Sequence, residues 1–255
     1  MNTTGARLET GDEDGSGAIA DAAPAAALAL AQEQENARVT LYRCMRTVLR
    51  MLAVRGYVVT EVGGQHVNHA DALEMYKSKA RAEAAEDARE VIITAEVAAS
   101  PPRFSTAWAN ALAPGTRLGV VAVGQGNVEA VRDVLDKMVS NRWQTVLLVS
   151  RMPLTAYSAK ELAAKTPSGK ASQHFKYVDL QAAIVDHCMV PRHAPLDASM
   201  AARVRSKFAG GQFPRLLASD SMVQFLGMPI GSIVSVREVF GREQPVTTHF
   251  EVSDV

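Results

Sequence analysis

The chain has only two cysteines, Cys44 and Cys188. That excludes a disulfide-stapled secreted domain and fits a reducing compartment. It lacks any run of about eighteen uncharged apolar residues, the length a membrane-crossing helix needs, so no membrane partner is expected. It also lacks net charge, because 27 basic residues balance 27 acidic ones. A self-sufficient DNA binder carries a far larger positive excess. No Ser-His-Asp pattern, Gly-x-Ser-x-Gly elbow or paired-carboxylate motif stands out. Scattered acid–base residues leave no such motif, so this absence alone does not exclude catalysis.

Hydrophobic residues make up 47% of the 255 positions, enough to build one large core or two small ones. Charge is unevenly spread. Residues 1–40 carry Arg7 and Arg38 against seven acids, a net of −5, which leaves +5 for the remainder. Residues 1–38 are rich in Ala, Gly, Asp and Glu and hold no aromatic. Such a segment buries too little apolar area to offset backbone ordering, so it is expected to be a disordered tail. Ala22 to Ala31 loosely matches a signal-peptide core, but the flank before it is acidic rather than basic, and targeting is rejected.

A helix is expected next. Leu41, Cys44, Met45, Val48, Leu49 and Leu52 share one face of a 3.6-residue period, with Gly56 placed for a left-handed cap. Arg43, Arg46 and Arg50 line another face, read as solvated rather than as a polyanion contact. A second helix is expected from Ala70 to about Ala88, then a strand from Val91 to Val97 broken by Pro101 and Pro102. Leu118 to Val123 is a strand, Gly124-Gln125-Gly126 a turn, and Asn127 the cap of a helix striped by Val128, Val131, Leu135 and Met138. Val146 to Val149 is a continuous apolar strand. The three together make a βαβ unit with a parallel sheet. Pro167 to Ala171 reads as a loop, and Val178 to Val185 as a strand or short helix. Asp197 caps a further helix carrying Met200, Val204 and Phe208 and ending at Gly210. Ser232 to Val239 and Val246 to Val252 alternate and form an antiparallel hairpin around Gly241-Arg242-Glu243-Gln244.

Three groups invite chemistry. Gly124-Gln125-Gly126 between strand and helix has the start of a dinucleotide fingerprint, but Glu129 stands where the third glycine belongs. A tight turn for packing is the preferred reading. His187, Cys188 and His193 are three ligand-type residues in one short segment. A structural zinc usually takes four ligands with paired cysteines, so hydrogen-bonding histidines are preferred and no metal or other cofactor is expected. Glu61, His66 and His69 lie close in sequence without a nucleophile.

From His187 the residues fall into a known order. His187-Cys188-Met189-Val190-Pro191-Arg192-His193, Phe213-Pro214-Arg215-Leu216, Asp220, Val223, Leu226-Gly227-Met228 and Gly231-Ser232-Ile233-Val234 run in sequence. They resemble the C-terminal assembly domain of the fifth common subunit of eukaryotic nuclear RNA polymerases, a domain that archaeal RNA polymerase also contains. Tyr42-Arg43, Arg55 to Thr60, and Thr155, Ser158, Ala159 and Lys160 resemble the first half of the eukaryotic subunit more loosely. Ser221, Glu238 and His249-Phe250 depart from the pattern. They point to a divergent paralogue whose final hairpin makes contacts of its own.

The resemblance implies an α/β N-terminal jaw domain over 39–178, with a partly parallel sheet and flanking helices. It also implies a small α+β assembly domain over 179–255 with an antiparallel hairpin. The implied role is non-catalytic. The assembly domain docks on the largest polymerase subunit through His187, Val190, Pro191, His193, Pro214, Arg215, Asp220, Gly227 and Gly231. The jaw lies near downstream DNA, met weakly by Arg151, Thr155, Ser158, Ala159 and Lys160, the last three opening a helix whose amides face a phosphate. Other polymerase subunits are further partners, and no small-molecule substrate is implied. The location is the nucleus, or the nucleolus if the chain serves RNA polymerase I. Two alternatives are a free-standing nucleic-acid-binding module and a nucleotide-dependent enzyme on the βαβ unit.

Overall fold

A computed structural model describes residues 22–76, 91–164, 172–208, 213–238 and 244–254. The chain divides into two units, Met1–Val39 and Thr40–Val255. Helix α1 runs over Ala22–Arg55. The described part of the first unit is therefore helical, which corrects the expected disorder over residues 22–38. The reason is cooperative. Alanine has the lowest helical cost, and extending a helix already nucleated by a packed segment is far cheaper than starting one. Residues 1–21, the rest of the expected tail, lie outside the described residues.

The second unit holds two sheets. The first has the order β2-β1-β3-β4-β5-β6, built from β1 (Tyr57–Val62), β2 (Gln65–His66), β3 (Val91–Val97), β4 (Arg117–Val123), β5 (Thr145–Ser150) and β6 (Gln173–Lys176). β1, β3 and β4 pair antiparallel, whereas β4, β5 and β6 pair parallel. The expected βαβ unit is present, with α3 (Val128–Ser140) crossing between β4 and β5. A short α2 (Thr106–Ala109) precedes β4.

Both faces of this sheet are covered, and the strand period decides which residue goes where. Leu118, Val120, Leu147 and Val149 join the α1 stripe of Cys44, Met45, Val48 and Leu52 in one core. Val121, Val123, Val146 and Leu148 face the other way, onto Val131, Val134, Leu135 and Met138 of α3 and Leu162 of α4 (Ala156–Ala164). Burial on both sides is why β5 reads as an unbroken apolar run. At the end of α3, Arg142 takes a φ of 56°. The Trp143 amide then donates to the Met138 carbonyl at 3.0 Å, which seats the indole in this second core.

The second sheet has the order β7-β9-β10-β8, from β7 (Arg192–Pro195), β8 (Arg215–Leu217), β9 (Ile233–Glu238) and β10 (Val246–Ser253). β9 and β10 form the expected antiparallel hairpin, and β8 adds parallel to β10. Residues 241–243 of its turn lie outside the described residues, and the helix capped by Asp197 ends at Lys207, short of the expected end at Gly210. Val234, Val236 and Val252 pack under α6 (Ser221–Leu226), while Ile233 on the opposite face packs under α5 (Ala198–Lys207).

Other expectations shift in detail. Only residues 70–76 of the second expected helix are described, and of these 72–76 are helical while Ala70 and Asp71 form a turn. The stretch read as strand or short helix resolves into 3-10 turns over Tyr177–Leu180 and Ile184–Asp186, with the strand β6 just before them. Gly56, at a φ of 90°, does end α1.

Two half-buried histidines tie local structure to pH. His69 accepts the Val59 amide at Nδ1, 3.1 Å away. His174 lies 2.7 Å from the Ser150 hydroxyl oxygen, whose proton goes to the Met152 carbonyl. Burial lowers both pKa values below the usual 6.5. Their stabilisation is complete above pH 6.5 and is lost as the pH falls through the lowered folded values. The urea midpoint is therefore expected to be lower at mildly acidic pH than at neutral pH. His69→Asn with His174→Gln should flatten the drop. An unchanged drop in that variant would refute the assignment.

Candidate functional site

The motif residues converge on α6 and the strands beside it. Asp220 opens the helix, its carboxylate accepting the amides of Met222 at 2.8 Å and Val223 at 3.3 Å. Gly227 closes it in the left-handed conformation, at a φ of 66°. Between the caps, Met222, Val223, Phe225 and Leu226 are all buried. The helix is six residues long, too short to hold itself together, so packing and caps must supply its stability.

Its C-terminal carbonyls are bonded by residues from far upstream. The Arg55 guanidinium donates from Nε to the Phe225 carbonyl at 2.9 Å and from Nη2 to the Gln224 carbonyl at 2.7 Å. The same Nη2 donates to the Gln173 side-chain oxygen at 2.7 Å. The Thr106 hydroxyl donates to the Leu226 carbonyl. A cation at the negative end of a helix is favourable, and a planar fork reaches several carbonyls where an ammonium would not. Arg55 is only 5% exposed, and burial pushes its pKa down to about 10, still charged near neutrality. Gly227 is required here twice over. Its φ is left-handed, and a Cβ would lie 2.8 Å from Arg55 Cζ.

The opening motif forms a self-bonded corner. The Val190 amide donates to the His187 carbonyl at 3.0 Å, and the Met189 amide to His187 Nδ1 at 3.2 Å. His193 Nδ1 donates to the Pro191 carbonyl at 2.8 Å. Val190 packs against the α6 core, while His187 and Cys188 stay exposed. Both Nδ1 atoms are thus engaged by backbone. Pro214 and Arg215 are exposed at the start of β8, the sheet's edge strand. Gly231 is exposed in the turn before β9, its carbonyl accepting from Arg205 at 2.7 Å. The nine positions thus split. Asp220 and Gly227 are engaged inside the chain, whereas His187, Pro214, Arg215 and Gly231 reach solvent.

The other expected surface lies at the carboxyl end of β5. Arg151, Thr155, Ala159 and Lys160 are exposed, but Ser158 is fully buried. Helix α4 starts at Ala156, two residues before the expected start. Thr155 caps it, its hydroxyl oxygen accepting the Ser158 amide at 3.1 Å, and its carbonyl accepts the Ala159 amide at 2.9 Å. The amides expected to face a phosphate are therefore already bonded. The glycine turn after β4 also has a packing cause. A Cβ on Gly126 would sit 2.7 Å from the Pro153 carbonyl, so this loop, not a phosphate, fills the space. On the long α1 helix, Arg50 meets Asp186 at 2.6 Å, and this pair raises the arginine pKa and lowers the carboxylate's.

The family model for the RNA polymerase Rpb5 C-terminal domain matches residues 182–244. Residues 182–244 are similar to that domain. The match covers the corner, β7, α5, β8, α6 and β9. It stops before β10, the strand that carries His249-Phe250. The residues before 182 lie outside it. A search of curated proteins returns no match. The Rpb5 C-terminal domain is a domain of an RNA polymerase subunit.

The sequence pattern places Arg55 in a motif but does not reveal what it does, and α6 was missed altogether. A capping acid, two apolar pairs and a glycine over Asp220 to Gly227 do carry a helix signal in retrospect. No local signal reveals Thr106 or Gln173.

Proposed function

We propose that the chain is a non-catalytic subunit of a nuclear DNA-directed RNA polymerase. In this reading the segment after residue 178 docks on the largest subunit, and the α/β part before it lies in the jaw, near downstream DNA. The observation that carries the reading is the family match over residues 182–244, laid on an intact α6–β9 unit. His187, Pro214, Arg215 and Gly231 supply the solvent-facing part of the docking surface. Arg151, Thr155, Ala159 and Lys160 supply a weak, salt-sensitive contact to DNA phosphates. So few contacts give little affinity, and the active site of such an enzyme belongs to other chains.

The test is affinity purification of the tagged full chain followed by mass spectrometry. The largest and other polymerase subunits are expected to co-purify. Deleting 187–255 should abolish this, but it also uncovers the buried Arg55. A cleaner variant is therefore Arg215→Glu, expected to keep the far-ultraviolet spectrum while losing co-purification roughly ten-fold. Removing residues 1–21 should leave it intact. A full chain that purifies without polymerase subunits would refute the reading.

A further inference from the structure

A second surface lies apart from the docking residues above. It is a groove of about 540 Å³ between α5 and the open half of the four-stranded sheet. Ala194, Leu196 and Ser235 form its floor, and none carries charge. Met200 and Val204 of α5 make an apolar wall, one helical stripe that continues upward into Arg203 and Lys207. Arg192, Arg237 and His249 line the opposite side, and among the described residues no acidic one lines the groove. Among the described residues, none of Arg192, Arg203, Lys207 and Arg237 has a side-chain ion pair, whereas Arg205, on another side of α5, is paired with Glu251 at 3.2 Å.

Two features make this arrangement costly to the isolated chain. Arg192 and Arg237 face each other directly across the antiparallel β7–β9 pair. Like charges at such positions destabilise a sheet, and an anion between them relieves the effect. Phe104, on the lip, is 46% exposed and holds a φ of 65°, a conformation that bulky residues rarely adopt. It is braced edge-on by Trp108, with ring centroids 5.6 Å apart. Strain and uncompensated charge around an apolar floor are the marks of a surface shaped for something else.

We propose that this groove binds an extended acidic peptide segment of a partner protein, with apolar or aromatic residues interspersed among its acids. The apolar floor and the Phe104 lip select a polypeptide over a bare polyanion, because a phosphodiester backbone offers nothing to Leu196, Met200 and Val204. The four cations along both rims meet the carboxylates of such a segment. Among the described residues β7 is an edge strand, paired only with β9, and edge strands accept extended peptides. None of the lining residues is among those assigned to docking on the polymerase, and the proposal does not depend on that reading.

The test uses the purified full chain and fluorescence anisotropy. Three labelled probes are compared: a twelve-residue peptide alternating Glu or Asp with Leu or Phe, a twelve-residue polyglutamate, and a twelve-nucleotide oligothymidylate. The mixed peptide is expected to bind at least roughly ten-fold more tightly than either of the others. Arg192→Glu with Arg237→Glu should weaken it by more than about ten-fold, and Phe104→Ala by several-fold. Should the charge-reversed protein fail to fold, Arg192→Gln with Arg237→Gln serves instead, and its melting temperature should exceed that of the parent. Absence of saturable binding by the mixed peptide overturns the proposal. So does equal binding of all three probes, tighter binding of the oligonucleotide, or affinity that ignores both arginines. Because no polymerase is present, failure here leaves the polymerase reading untouched.

Discussion

Gly119→Ala is expected to destabilise the protein by about 3 kcal/mol, seen as a fall of about 1 M in the urea midpoint. Gly119 sits in the middle of β4, paired with Thr94 on one side and Val146 on the other. It has no left-handed backbone to explain it. The cause is the neighbour. A Cβ built there would fall well inside contact distance of the Trp143 ring. The indole is only 3% exposed and is anchored by the turn that ends α3, so it has nowhere to go. Overpacking in a close-packed interior forces backbone shifts, and here the backbone belongs to two ladders at once. Trp143→Leu alone should also destabilise, by about 3 kcal/mol, through the cavity it leaves. The double variant should be more stable than the sum of the two losses, because the smaller side chain makes room for the new methyl. Strict additivity, or a Gly119→Ala protein as stable as its parent, would overturn this account.

Arg55→Met should cost about 3 kcal/mol. The variant keeps volume but strips donors from the buried Phe225 carbonyl and from the part-buried Gln224 carbonyl and Gln173 amide oxygen. Each buried acceptor left without a partner costs about 1–3 kcal/mol, offset in part by no longer burying a charge. Arg55→Lys should fall in between, since one ammonium cannot reach acceptors spread around a fork. Hydrogen exchange discriminates this from general loosening. Amides of residues 222–228 should lose protection first in Arg55→Met, with β4 and β5 following only at the global unfolding free energy. Uniform loss across both sheets would show that Arg55 does not act through α6.

What can be read from the sequence depends on how far apart the causes lie. The α1 stripe, β4, α3, β5 and the β9–β10 hairpin each carry their own periodicity, and all are legible. The Asn127 cap is a three-residue affair: its side chain accepts the Ala130 amide at 3.0 Å. The helix over residues 22–38 escapes a reading that weighs composition without the packed helix that follows it. The start of α4 falls two residues earlier than expected because Thr155 serves the Ser158 amide rather than a phosphate. The site around α6 is the least legible. Its caps are local, but its stability comes from Arg55, Thr106 and Gln173. They stand far from it in sequence, and no spacing rule ties an arginine to a carbonyl 170 residues away.

That separation also matters in time. Arg55 leaves the ribosome 170 residues before the carbonyl it will hold. At about 5–20 residues per second, the guanidinium and Val54 at the end of α1 wait roughly ten to thirty seconds with no α6 to cover them. The six-stranded sheet can close in that interval, since its last strand ends at Lys176. A nascent chain paused there would present a finished sheet with an open cationic socket. A chaperone or polymerase partner that recognised the socket would distinguish unfinished chains from complete ones.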